Sequence, residues 1–595
     1  MQLEKTLYQE PSQSIENRVQ NLLDQMTLAE KIGQMTQVEK NSIKPEDVMT
    51  YFIGSILSGG GGNPTPNTFE NWRKMVQAYM QASLETRLSI PMIYGSDAVH
   101  GHSNVKGAVI FPHNVGLGAT RDANLVERIA HATAIELLAT NVHWDFAPAV
   151  SVPQDIRWGR SYEGFSEDTH LVTELGLAYA RGLQKRTESG EWVLPSVKHF
   201  AADGGTEWDS RKDIPNYAPS NWQAASQNWR IDQGDARMDE ETLRAIHLAP
   251  YKEAVDAGVD NIMVSFSSWN GLKMHAHEYL LTTVLKGEWG FEGFLVSDWM
   301  AIDQLKESFY DAVVTSINAG VDMVMVPFDY KTFINIMENA VSKGDITIER
   351  VDDAVSRILR TKFKLGLFET PMTSDSYLTQ AGSEEHRALA REAVQKSAVL
   401  LKNDSVLPIS KTSNIVVAGA AADSIGLACG GWTIEWQGGT GAITDGSTLL
   451  EGLNSLAEDS VQFSSDGMFD GEAEIGIVVI AEEPYAEGEG DREDLTITAE
   501  QTQLIEAMRE RCAKLVLLIY SGRPIIITHV VDHCDAIIAA WLPGTEANAI
   551  ADVLLGDVPF TGKLPFTWIK SMDQLPLAHL KASDEQPLWQ FGFGL

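Results

Sequence analysis

Residues 1–368 carry a succession of short, nearly continuously apolar runs rich in β-branched residues, each separated from the next by a helical stretch. The runs fall at 52–57, 91–94, 142–148, 194–199, 261–266, 294–297 and 323–326. Strands without a polar face that alternate with helices imply a parallel sheet covered on both sides. Seven or eight such units predict an α/β fold of the (β/α)8, TIM-like barrel type, in which functional groups sit at the carboxyl ends of the strands. Ahead of these runs, Val19, Leu22, Leu23, Met26, Leu28, Ile32 and Met35 stand near helical spacing and predict one opening helix over 14–40. Residues 369–388 are polar and turn-rich and read as a linker. A second alternating set follows at 414–418, 475–481, 514–520 and 535–541, with a helix over 499–512. It predicts a smaller α/β sandwich domain with a largely parallel sheet over 389–595.

The balance of residues excludes several classes of function. An apolar share of 44% with 22% charged residues is that of a globular protein. A formal net charge of −36 repels phosphates, so nucleic acid is excluded as a partner, and anionic membranes and polyanionic glycans are disfavoured. A neutral small molecule or oligosaccharide fits such a surface. Cys429, Cys512 and Cys534 are too few for a disulfide framework, and no Cys or His spacing typical of a metal site occurs, so no metal or cofactor is expected. The N-terminal residues lack the apolar core of a signal peptide, which predicts a cytoplasmic protein as written, or a periplasmic or secreted one after processing. No run of about 18 apolar residues is present to span a membrane, and nothing sets an oligomeric state.

Polar clusters follow three apolar segments: Ser-Asp97 after IPMIYG (90–95), Lys198 and His199 after VLPSV (193–197), and Ser-Asp298 after GFLV (293–296). Hydrolysis of a glycosidic bond needs two carboxyl groups flanking the anomeric carbon. Asp298 at the end of a buried strand has the rigidity a nucleophile requires, and Trp299 beside it offers an apolar wall; an Asp at a strand-to-helix turn also serves as an ordinary helix N-cap. Lys198 and His199 are side-by-side donors for sugar hydroxyls, or else a Lys paired with Asp203 beside a satisfied core His. Arg160 is a fork donor for hydroxyls or carboxylates, or a structural partner of Glu163 or Glu167. The acidic loop 482–491 brings carboxylates close enough to raise one another's proton affinity, which suits an acid, although the residues alone favour a solvated acidic loop. Trp432 and Trp436 sit four apart in a Gly-flanked, non-helical setting, where paired indoles clamp a sugar ring or pack a domain interface.

These segments together resemble glycoside hydrolase family 3, in its β-D-glucan exohydrolase and β-glucosidase subgroup. The carriers are IYGSDAVHGHSNVKGAVIFPHNVGLGATRD (93–122), RWGRSYEGFSED (157–168), KHFAADGGT (198–206), SFSSWNGLKMHA (265–276), GFLVSDW (293–299), GGWTIEWQG (430–438), EEPYAEGEGD (482–491) and SGRP (521–524). The resemblance spans nearly the whole chain. It implies a barrel followed by an α/β sandwich with the active site in the cleft between them, and a retaining, exo-acting enzyme that releases β-D-glucose from the non-reducing ends of β-glucosides and β-1,3/1,4-gluco-oligosaccharides. It implies Asp298 as nucleophile and Glu487 as acid/base, with Glu483 at the variable position of the loop as a competing acid. Asp97, Arg160, Lys198 and His199 then grip the cleaved sugar, Met263 and Trp299 wall it, and Trp432 and Trp436 sandwich the next sugar. Phe266 stands where plant members carry a Tyr, and Met300 where they carry an acid. A β-xylosidase or N-acetylglucosaminidase of the same family is the alternative, although KHFAADGGT lacks the His-bearing loop of the latter. A non-catalytic glycan-binding relative and a phosphorolytic member are the remaining readings.

Overall fold

The structure, a computed structural model, describes residues 4–214, 228–458 and 461–595. The chain forms two compact units, Met1–Ala98 with Thr133–Val150 and Ala180–Ala381, and Val99–Ala132 with Ser151–Tyr179 and Gly382–Leu595. The second unit therefore begins with two excursions from the N-terminal half of the sequence, where the division into 1–368, 369–388 and 389–595 is linear.

In the first unit the strands Val324–Met325, Thr36–Glu39, Ser55–Ser58, Ile93–Ser96, Trp144–Asp145 and Leu194–Pro195 lie side by side in that order, all parallel. The last of them runs on into Val197–Phe200, which pairs with Asn261–Val264 and then Phe294–Val296, again in parallel. A bridge between Val296 and Met323 returns to the first strand and closes the ring. Helices such as Phe69–Leu84, Ala249–Asp256 and Phe309–Ala319 link successive strands, and Tyr330–Lys343 follows the last of them. The result is the eight-stranded parallel barrel that the alternating runs predict.

The opening helix over 14–40 needs correction. Residues Ile15–Leu23 and Leu28–Gln34 form two separate helices, and Thr36–Glu39 is the first barrel strand. Thr27 restarts the helix with a capping box: its side chain accepts the Glu30 N–H, and the Glu30 side chain accepts the Thr27 N–H. Helical periodicity continues across the break because the strand is buried at every position, so no polar alternation marks its start. The predicted linker also shortens, since a helix spans Glu384–Ser397.

The second unit holds a six-stranded sheet. Its order is Val399–Asn403, Ala536–Trp541, Cys512–Tyr520, Ala473–Ala481, Ile415–Ala418 and Gln462–Ser464, parallel throughout except at the Val399–Asn403 edge. Successive side chains of one strand enter different cores: Val478, Ile480, Leu517 and Ile519 pack on one face, and Ile477, Val479, Val516 and Leu518 on the other. The first face also takes up Val99, Val115, Ala119, Ile156 and Tyr162, so the two N-terminal excursions are built into its core. No helix among the described residues is long and apolar enough to cross a membrane.

Candidate active site

The carboxyl ends of the barrel strands gather most of the sequence-predicted residues of the first unit. Asp298 follows Phe294–Val296 and is buried, with 8% of its surface exposed. Its backbone N–H donates to Nε2 of His275 across 3.1 Å, and its Oδ1 accepts the Trp299 N–H at 2.7 Å. An imidazole nitrogen that accepts must be unprotonated. Burial, helped by nearby Lys273, holds the His275 pKa down at about 3 and keeps the ring neutral. The second carboxylate oxygen of Asp298 lies 3.7 Å from Nε2 of His199. His199 is itself held by Asp203, with Nδ1 and Oδ2 2.9 Å apart.

Lys198 turns the other way along its strand and donates to Oδ1 of Asp97 at 3.2 Å. Asp203 is thus the partner of His199, and the alternative pairing of Lys198 with Asp203 gives way to Lys198 with Asp97. Asp145, on the neighbouring strand, accepts the Ala98 N–H at 3.1 Å. Burial pushes its carboxyl well above the usual range, against the opposing influence of Lys198. Met263 is buried in the Asn261–Val264 strand, while Trp299 is half-buried and meets Phe328 edge to face, with centroids 5.5 Å apart.

A second constellation stands in the other unit. Arg160 holds Glu163 bidentately, with Nε–Oε1 and Nη2–Oε2 distances of 2.9 Å each, and reaches Oε1 of Glu487 with Nη1 at 3.3 Å. Both readings of Arg160 therefore apply to one side chain, since it carries a structural ion pair and also touches the candidate acid. Trp432 donates its indole N–H to Oε1 of Glu163 at 3.1 Å and is buried, whereas Trp436 is only partly covered. The two tryptophans are joined through the backbone, Trp432 N–H to Trp436 carbonyl at 2.9 Å.

The three acids of the 482–487 loop have three different surroundings. Glu482 is buried and accepts from Arg523 (3.1 Å), the Tyr485 hydroxyl (3.0 Å), the Gly522 N–H (3.1 Å) and Arg492 (3.3 Å). Every one of these donors stabilises a structural carboxylate. Glu483 is exposed and lines a separate groove of about 460 Å³ with Ala420, Asp466 and Glu500. Glu487 alone lies against Arg160. Its φ of 54° places a non-glycine residue in the left-handed region, a conformation that surrounding contacts must maintain.

Sequence reasoning does not single out His275, Asp145, Arg523 or Glu482. Their single signal is membership of the motifs SFSSWNGLKMHA, EEPYAEGEGD and SGRP or, for Asp145, a charge inside the apolar run 142–148. Among the described residues, no group of three or more His, Cys, Asp or Glu side chains is placed to hold a metal ion.

Comparison with known proteins points to one family. Residues 27–361 match the glycosyl hydrolase family 3 N-terminal domain, and residues 398–595 match the glycosyl hydrolase family 3 C-terminal domain. The lysosomal beta glucosidase of Dictyostelium discoideum is 31% identical over 97% of this chain and 75% of its own length. The periplasmic beta-glucosidase of Salmonella typhimurium is 31% identical over 97% of this chain and 80% of its own. The crystal structure of a Q683A mutant of the exo-1,3/1,4-beta-glucanase ExoP from a Pseudoalteromonas species superposes with a TM-score of 0.90, at 38% identity over 98% of this chain and 95% of that one.

Proposed function

Because the chain belongs to glycosyl hydrolase family 3, we propose that it cleaves β-glucosidic bonds by double displacement, with Asp298 as nucleophile and Glu487 as acid/base. It is a glycoside hydrolase of the β-glucosidase and exo-β-glucanase type, releasing β-D-glucose from β-glucosides and β-1,3/1,4-gluco-oligosaccharides. The observation that carries the residue assignment is the anchoring of Asp298. Its backbone and one carboxylate oxygen are tied by His275 and Trp299, and its other oxygen faces the Asp203–His199 pair. A carboxylate fixed in this way loses little freedom on reaching the transition state.

In the first step Asp298 attacks the anomeric carbon. We assign the attack to Oδ2, since Oδ1 is occupied by the Trp299 N–H. The bond from carbon to the leaving oxygen breaks as Glu487 gives that oxygen its proton. Water then surrenders a proton to Glu487 and attacks the same carbon from the opposite side to Asp298, the bond from that carbon to the Asp298 oxygen breaks, and β-glucose leaves with retained configuration. Asp97, Arg160, Lys198 and His199 supply acceptors and donors for the hydroxyls of the cleaved sugar, with Met263 and Trp299 as its walls. Trp432 and Trp436 take the sugar on the leaving side. Two carboxyl groups and water account for every proton in this scheme, so no metal or cofactor is invoked.

A 2-fluoro-β-glucoside with an activated leaving group tests the assignment. Stoichiometric labelling of a single peptide containing Asp298 is expected. Labelling at any other residue overturns the choice of nucleophile.

A further inference from the structure

Glu487 sits in a left-handed backbone conformation that costs free energy for a non-glycine residue, so surrounding contacts must hold it. The neighbour that does so is the side chain of Gln437. Its Oε1 accepts the Ala486 N–H at 2.9 Å, and its Nε2 donates to the Ala486 carbonyl, 3.3 Å away. One amide thus engages both polar groups of the residue before Glu487, much as a neighbouring β-strand would, and fixes the dihedrals that aim the Glu487 carboxylate. Ala486 is fully buried, which leaves its backbone groups no water to turn to.

A clamp acts only if its own base is rigid, and Gln437 ends a segment held at several points. His100 and His113 stack 3.6 Å apart; Nε2 of His113 bonds the Gly431 carbonyl at 3.0 Å, and Nε2 of His100 lies 3.0 Å from the Thr433 hydroxyl. The Ile434 N–H donates to the Ser103 carbonyl at 2.7 Å, and Trp432 is fixed through Glu163. Trp432 and Ile434 themselves have φ values of 58° and 63°, an arrangement that side chains of this size adopt only when their surroundings impose it. A Cβ at Gly431 would stand 1.9 Å from the Tyr485 carbonyl oxygen, so the segment also lies directly against the loop that carries Glu487.

We propose that Gln437 is a positioning residue for the acid/base, clamping the Ala486 backbone so that Glu487 meets the leaving-group oxygen. This deepens the assignment of Glu487 made above and rests on it. The chemistry gives a signature that a merely structural role lacks. A misplaced acid matters in proportion to how badly the leaving group needs a proton, and a dinitrophenolate needs almost none.

The test compares wild type with Gln437→Met, which keeps the length of the side chain and removes both hydrogen bonds, and with Gln437→Ala and Glu487→Ala. The measured quantity is kcat/KM, which reports the first displacement, on methyl β-glucoside, cellobiose and 2,4-dinitrophenyl β-glucoside. For Gln437→Met the expected result is a fall of about 10- to 100-fold on the first two substrates with an unchanged value on the third. Equal losses on all three, or no loss on any, overturn the role of Gln437. Glu487→Ala separates the two readings. If it lacks the same leaving-group dependence and gains no turnover from azide, the acid/base assignment fails. If it shows both while Gln437→Met shows no leaving-group dependence, only the present inference fails.

Discussion

The backbone N–H of Asp298 donates to Nε2 of His275 across 3.1 Å, so a neutral imidazole anchors the residue we assign as nucleophile. His275→Ala removes that acceptor and leaves a buried N–H without its partner. Catalysis should fall about 100-fold, since displacements near 1 Å cost that much, while circular dichroism shows the fold retained. Activity within a factor of about two of wild type would argue that the Phe294–Val296 strand alone suffices to place Asp298.

Glu163 presents a different balance. It is buried with Arg160, and it also accepts the Trp432 indole N–H. Glu163→Ala takes the bidentate partner from a buried guanidinium and an acceptor from a buried indole N–H, and breaking such a pair costs about 3–5 kcal/mol. A clear drop in the unfolding temperature is expected, together with weaker turnover of oligosaccharides through Trp432. An unchanged melting temperature would mean that water enters to replace the carboxylate.

The three acids of one loop should separate cleanly by substitution. Glu483→Ala, at an exposed position, should alter stability by no more than about 0.5 kcal/mol and leave activity intact. Glu482→Gln disturbs the fully buried Arg523 and should lower stability without any azide rescue. Glu487→Ala should retain the fold and recover turnover of activated aryl glucosides with azide. Rescue of a Glu483 or Glu482 variant instead would move the acid/base to that residue.

Acid should destabilise the protein. Burial lowers the pKa of His102, His113 and His275 to about 3 and of His143 and His247 to about 4, and it takes His100 well below its ordinary value. In the unfolded chain these rings titrate near 6.5. Between about 4 and 6.5 the unfolded state therefore binds more protons, and stability drops as pH falls through that window, by up to 1.4 kcal/mol per pH unit for each ring. Asp145, raised by burial, and Asp303, raised to about 6 by burial and by Asp329, act in the opposite direction. Six histidines outweigh two carboxyls, so the thermal midpoint should decline steadily from pH 7 to pH 4.5. A midpoint that rises over this range contradicts the assigned neutral histidines.

Much of the architecture is legible in local patterns. Apolar runs without polar alternation announce buried parallel strands, and 473–481 and 512–520 fill two cores at once for that reason. The opening segment misleads because a capped helix break and a fully buried strand leave the same apolar spacing as one long helix. The strand-end positions of Asp97 and Asp298 follow directly from the barrel pattern, whereas Lys198 and His199 lie within the Val197–Phe200 strand, and ordered motifs along nearly the whole chain identify the family.

The sequence by itself determined the alternation of strands and helices, the ends of strands where chemistry resides, and the family, because each depends on residues close together in the chain. Tertiary structure alone decided which partners those residues take. Arg160 meets Glu163 three positions away and Glu487 hundreds of positions on; His199 takes Asp203, leaving Lys198 to Asp97; Gln437 clamps Ala486; and the stretches 99–132 and 151–179 join the core of the second sheet. Hydrogen bonds and ion pairs form between groups brought within a few ångströms by burial of the apolar faces, and no local spacing records which distant groups that burial will bring together.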